Sequence, residues 1–147
     1  MRSVLSLLII NLALTGTGLA APAPRDTLIV PGARVGAIGL GMSAADLTLS
    51  VGIPADMQRQ GTDTIYSWGE VAAQISEKSP TVELITVNDP RYETADHVRV
   101  GLAAFAVTAV LGDPVKTTNA QGTVNLDYDG MTIVVRNNLV AQIRVWK

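Results

Sequence analysis

"IGLGMSAADL", Ile38 to Leu47, is the stretch whose reading decides the fold. Its Gly39-x-Gly41-x-x-Ala44 spacing has the form of a loop that cradles a pyrophosphate. Such a loop needs a strand before it and, after it, a helix long enough to return beside a parallel strand. Here Gly52-Ile53-Pro54 ends the helix soon after it starts at Ser43. Glycine at C′ closes the last turn, and a proline two residues later forbids continuation. The following "IYSWGEVAAQIS", Ile65 to Ser76, reads as an antiparallel hairpin. The glycines are therefore expected to punctuate backbone, and no cofactor is expected on them.

Working outward, the chain resembles itself. Shifted by 60, Gly41 falls on Gly101, Ala44 on Ala104, Gly52 on Gly112 and Pro54 on Pro114. Trp68 falls on Tyr128 and Val71 on Met131; at a shift of 58, Val82 meets Val140 and Ile85 meets Ile143. Gly39 corresponds to Arg99, a second reason against a nucleotide loop. The expected fold class is α+β: a tandem repeat, each copy one short helix packed on a three-stranded antiparallel sheet. The expected boundaries are a signal peptide at 1–20, a partly flexible leader at 21–36, repeat 1 at 37–87, a linker at 88–96 and repeat 2 at 97–147.

Each helix carries its own marks. Ser43 with Asp46 three residues on forms a shortened capping box. Ala44, Leu47 and Val51, like Ala104, Val107 and Leu111, form an apolar stripe at helical spacing. Gly69-Glu70 suits a type II′ hairpin turn and Asp129-Gly130 a type I′ turn. The next turns, "RNN" at 136–138 and "SEKSP" at 76–80, have odd lengths that keep the strand alternation in phase. On that phase Tyr66, Trp68, Val71, Ala73, Ile75, Glu83, Ile85 and Val87 share the helix-covered face, with Glu83 a misfit. Tyr128, Met131, Ile133, Val135, Leu139, Ala141, Ile143 and Val145 do so in the second copy.

"LGMSAADLTLSVGIP", "YSW" and "ITV" in the first copy, and more loosely "VGLAAFAVTAVLGDP", "LDY" and "IRV" in the second, resemble the SmpA/OmlA-type unit. That unit belongs to outer-membrane assembly accessory lipoproteins, and two in tandem are similar to the architecture of the β-lactamase inhibitory proteins. The resemblance implies no catalysis and a protein partner. Two departures stand: no lipobox cysteine follows the signal, and the inhibitors' disulfides have no counterpart in a chain without Cys.

The composition narrows the function. Arg2, the apolar run Val4 to Leu14 and the small residues Gly18 and Ala20 read as a signal peptide cleaved after Ala20. Export to the periplasm or the exterior is expected, with no integral membrane segment after cleavage. Of the 11 basic residues Arg2 then leaves, so 10 stand against 13 acidic ones, and nucleic acid is not an expected partner. His97 has Asp89, Glu93 and Asp96 near it in sequence, but in a linker composition that reads as solvated rather than metal-binding. No nucleophile–base pair is legible, although a small carboxylate-based hydrolase survives as an alternative because its acids need not be close in sequence.

The face away from the helices is the informative one. It is expected to carry Ile65, Val82, Leu84, Val140, Arg144 and Trp146, more apolar surface than a solvated face spends. These six are the expected partner-binding residues. An inhibitor-like or regulatory binding module is the first functional reading and an envelope-assembly accessory protein the second. A homodimer covering the same face is also compatible with the pattern.

Overall fold

The computed structural model describes residues 26–147; the expected signal peptide lies outside them. The described chain is mostly β. Its strands are β1 (Leu28–Val30), β2 (Arg34–Val35), β3 (Ile38–Gly39), β4 (Asp56–Gln60), β5 (Asp63–Trp68), β6 (Val71–Ser76) and β7 (Val82–Val87). Then come β8 (Glu93–Thr94), β9 (Lys116–Ala120), β10 (Thr123–Tyr128), β11 (Met131–Arg136) and β12 (Leu139–Trp146). Two helices, α1 (Ala44–Val51) and α2 (Ala104–Leu111), each have 8 residues.

The expected α+β tandem of helix-on-three-strand units is corrected by this architecture. One 8-stranded antiparallel sheet, ordered β4-β5-β6-β7-β12-β11-β10-β9, runs through the molecule, and β3-β2-β1-β8 form a second, 4-stranded sheet. Three features of the sequence concealed this. The outermost strands, "DMQRQ" and "KTTNA", are exposed along their whole length, so no apolar alternation announces them. The two halves share one sheet, because β7 pairs with β12 from Ile143↔Val87 to Trp146↔Leu84. The residues expected as leader and linker supply three of the four strands of the small sheet, where β1 pairs with β2 and, in parallel, with β8, while β3 comes from the start of the expected repeat 1.

A single core lies between the large sheet and the layer made by α1, α2 and the small sheet. Val71, Ala73, Ile85, Val87, Met131, Ile133, Ile143 and Val145 point into it from the large sheet. Ile29, Val35 and Ile38 enter from the small sheet, Leu47 from α1 and Val107 from α2. Each helix thus buries one side chain fully and leaves large apolar ones outside, such as Leu49 and Phe105.

The stretch Ile38–Leu47 has a structural job. Gly41 N donates to Val82 O and Val82 N to Met42 O, each at 2.8 Å, tying the entrance of α1 to the start of β7. Gly101, Leu102 and Val140 repeat the pair of bonds at β12. The Gly41 amide is therefore committed to protein. The helix that follows is capped as its sequence indicates: Ser43 Oγ accepts from Asp46 N, and Ser43 N donates to Asp46 Oδ2. Ala103, at the head of α2, makes no side-chain cap.

Strand phase is where the sequence reading slips. Asn137 and Asn138 both have positive φ and close a two-residue loop between Arg136 and its partner Leu139. The register then shifts between Val134 and Val135, so Val135 pairs with Val140 and Ala141 is the extra residue. On the other half Ile75 pairs with Val82, and Glu83 is the extra residue. Each bulge turns the following residues over by one position. Glu83, the misfit of the core face, is exposed in its bulge. Leu139, expected inside, is 48% exposed. At Asp129-Gly130 only the glycine has positive φ, so the turn is not type I′.

Three carboxylates link this fold to pH. Asp26 is held below its ordinary pKa by the Leu28 amide and then Arg34, Asp46 by the Ser43 hydroxyl and amide, and Asp89 by Arg91. A depressed carboxylate stabilises the folded state above its unfolded pKa, and the contribution is lost as pH falls through the folded value. The melting temperature is expected to hold from about pH 7 to 5 and to fall below about pH 4. Asp89→Asn and Asp46→Asn should each flatten that fall; an unchanged acid slope in both would mean that these bonds are not made in solution.

Candidate partner-binding face

On the face of the large sheet opposite the core most side chains are half-buried, while Thr132 and Val134 are 8% and 1% exposed. Cross-strand register places its side chains in rows. One row runs Gln58, Ile65, Gln74, Leu84 and Trp146 across β4, β5, β6, β7 and β12. The next runs Asp56, Ser67, Ala72, Thr86, Arg144, Thr132, Asp127 and Lys116. From Ile65 to Trp146 the first row crosses three inter-strand gaps, about 14 Å at the usual strand spacing. All three apolar members of the row are half-buried, packed by their neighbours yet open outward.

Of the six expected site residues, the structure brings four together. Ile65, Leu84, Arg144 and Trp146 share this face, with Leu84 and Trp146 directly opposite each other on β7 and β12. Val82 and Val140 do not belong to it. They are 2% and 1% exposed and sit on the core side against Ile75 and Val135. The bulges at Glu83 and Ala141 put them there, which is why simple alternation misassigned both.

Trp146 is the best-anchored member. Its indole Nε1 donates to Thr132 Oγ1 at 3.0 Å, and that hydroxyl donates to Asp127 Oδ1 at 2.7 Å. The chain of bonds fixes the ring without covering it. On one side of the ring lies a groove of about 570 Å³ shared with Val115, Lys116, Asp127, Tyr128, Asp129 and Thr132. On the other is a depression of about 390 Å³ that includes Gly41, Ser79, Glu83 and Lys147. Arg144 Nε donates to Gln142 Oε1 at 2.7 Å, and no carboxylate among the described residues forms an ion pair with it. Asn125 Oδ1, on the same face, is enclosed without a donor. The Thr132–Asp127 support behind Trp146 was not singled out from sequence; the Asp127↔Thr132 pairing that creates it follows from the hairpin register.

Tyr66, Trp68 and Tyr128 lie on the core side, as the alternation before the bulges indicates. Trp68 Nε1 donates to Gly52 O at 3.1 Å and Tyr128 Oη to Gly112 O at 3.0 Å. Each ring thus ties a strand end to a helix C-terminus. Burial, with the charge of Asp113 second, pushes the Tyr128 phenol up. His97 contacts Glu93 Oε1 through Nδ1 at 2.9 Å, while Asp89 is bound to Arg91, so the three acidic residues near His97 in sequence do not converge on it. Among the described residues no group of three His, Cys, Asp or Glu is placed to hold a metal ion. None of the described helices is long and apolar enough to cross a membrane.

No family model matches the chain. No curated protein matches it either. Solved structures of similar fold exist. One is an extracellular protein containing a SCP domain from Bacillus anthracis strain Ames, with TM-score 0.54 and 8% identity, covering 74% of this chain and 44% of that one. Another is a DUF4309 family protein, YjgB, from Bacillus subtilis, with TM-score 0.52 and 10% identity over 71% of this chain and 77% of that one. A third is a cysteine-rich secretory protein from Staphylococcus aureus Mu50, with TM-score 0.50 and 12% identity over 84% and 52%. The chain therefore spans less than half of the first of these proteins. At such identities the likeness is one of fold alone. None of the three is described as SmpA/OmlA-like or as a β-lactamase inhibitor.

Proposed function

We propose that this chain is an exported, non-catalytic protein-binding module that engages its partner through the open face of the large sheet. The observation that carries the reading is the half-buried row Ile65–Gln74–Leu84–Trp146, with Arg144 beside it. Interfaces concentrate their energy in aromatic and arginine side chains near the centre of the contact. Here a tryptophan is held rigid by Thr132 before any partner arrives, so little side-chain entropy remains to be lost on binding. Export rests on the reading of residues 1–20 as a signal peptide, and the similar folds from Bacillus anthracis and Staphylococcus aureus are described as extracellular and secretory. An inhibitor-like or regulatory role in the periplasm or outside the cell is the finer form of the proposal.

The test is cross-linking capture from an envelope and culture-fluid extract, quantified per folded molecule. Trp146→Ala and Leu84→Ala should each weaken capture at least about tenfold while changing the melting temperature little. Phe105→Ser, on the outside of α2, should capture as the unaltered protein does. Equal capture by all of these proteins would remove the face from consideration.

A further inference from the structure

A cavity of about 610 Å³ opens at the other side of the molecule, between α1, the small sheet and the ends of β5 and β6. Its floor is apolar and belongs to the core: Val35, Ile38 and Val71 line it and are 1%, 4% and 3% exposed. Two aromatic rings, Trp68 and Tyr92, stand in its walls. Trp68 is held by its bond to Gly52 O, and the Tyr92 ring packs against Gly36, so the walls are formed in advance. The volume is in the range that encloses a drug-sized molecule.

The rim defines the chemistry. Asp89 is 6% exposed, and its two oxygens accept from Arg91 Nε and Nη2 and from the Arg91 amide. Asp26 accepts from the Leu28 amide and from Arg34 Nη1. Each acid at the mouth is thus matched by its own arginine, and no uncompensated charge is left to repay the desolvation of a charged ligand. Arg91 Nη1 is not engaged by Asp89, and the Arg91 side chain is 75% exposed at the mouth. We propose that this cavity binds an uncharged, largely apolar small molecule, seated body-first against Ile38 and Val71 with a hydrogen-bond acceptor at Arg91. The occupant lies on the core side of the large sheet, away from the partner-binding face, so the two sites stand or fall separately.

Nile red, uncharged and of suitable size, is the probe, titrated against the full chain by fluorescence. Saturable binding with one dye per chain is expected. Ala55→Trp, which fills the cavity from its lip, and Ile53→Asp, which puts a charge on a residue 85% exposed at that lip, should each weaken it at least about tenfold. Phe105→Ser, an exposed apolar site on the outside of α2 and away from this cavity, should leave it unchanged. The anionic probe 1-anilinonaphthalene-8-sulfonate should bind at least about tenfold more weakly than Nile red. Absence of saturable Nile red binding, or equal binding by both cavity variants and the unaltered protein, overturns the site. Equal affinity for the anionic probe overturns the ligand class.

Discussion

Gly130→Ala is expected to be among the most destabilising single substitutions in this protein, at roughly 3 kcal/mol or more. Gly130 lies in the turn between β10 and β11, and there the small sheet touches the large one backbone to backbone. Gly32 N donates to Gly130 O at 2.9 Å, and Trp146 N donates to the same oxygen at 3.2 Å. A methyl group on Gly130 would lie 2.5 Å from Gly32 Cα and 3.0 Å from the Pro31 carbonyl carbon, and closer still to Gly32 N. Those are main-chain atoms and cannot swing aside as a side chain would. Gly69 supplies the control. It occupies the corresponding hairpin turn of the first half with nearly the same φ, +69° against +70°, and has nothing within 4 Å of the methyl position. Gly69→Ala should therefore cost only the backbone strain, about 1 kcal/mol. Urea unfolding of the two variants measures the difference; equal losses would mean that the Gly32–Gly130 contact is not made.

Gly52→Val and Gly112→Val should each cost at least about 2–3 kcal/mol, for a different reason. The two glycines end α1 and α2 at φ/ψ of 96°/−174° and 78°/−166°, a region open in practice to glycine only. No atom lies within 4 Å of either methyl position, so the penalty is conformational and not a clash. The same residues are also tied on both sides. Their amides donate to Thr48 O and Thr108 O, and their carbonyls accept from Trp68 and Tyr128. A backbone forced out of that region gives up the helix cap and the link to the sheet together. Thermal melts check it: a midpoint within about 2 °C of the unaltered protein for both variants would show that the helix ends tolerate ordinary residues.

The sequence by itself determined what depends on neighbours along the chain. The helix at Ser43 was legible because serine, the acidic residue three positions on, and the Gly-x-Pro stop act within a few residues of one another. The core positions Val71, Ala73, Ile75, Met131 and Ile133 were legible because the two-residue hairpins carry an unbroken register from Trp68 and Tyr128 into the next strand. Tertiary structure decided the rest. Bulges at Glu83 and Ala141 arise where β7 and β12 take up the segments before the helices as bonding partners, through Gly41 and Gly101. That exchange moved Val82 and Val140 into the core while Leu84, Arg144 and Trp146 stayed outside. The joining of β7 to β12, which makes the strands of both halves one sheet, was likewise left open by the sequence, since pairing between strands more than 50 residues apart leaves no local periodicity to read. The small sheet escaped notice for the same cause: strands of two or three residues acquire their identity only from the partners that long-range folding brings to them.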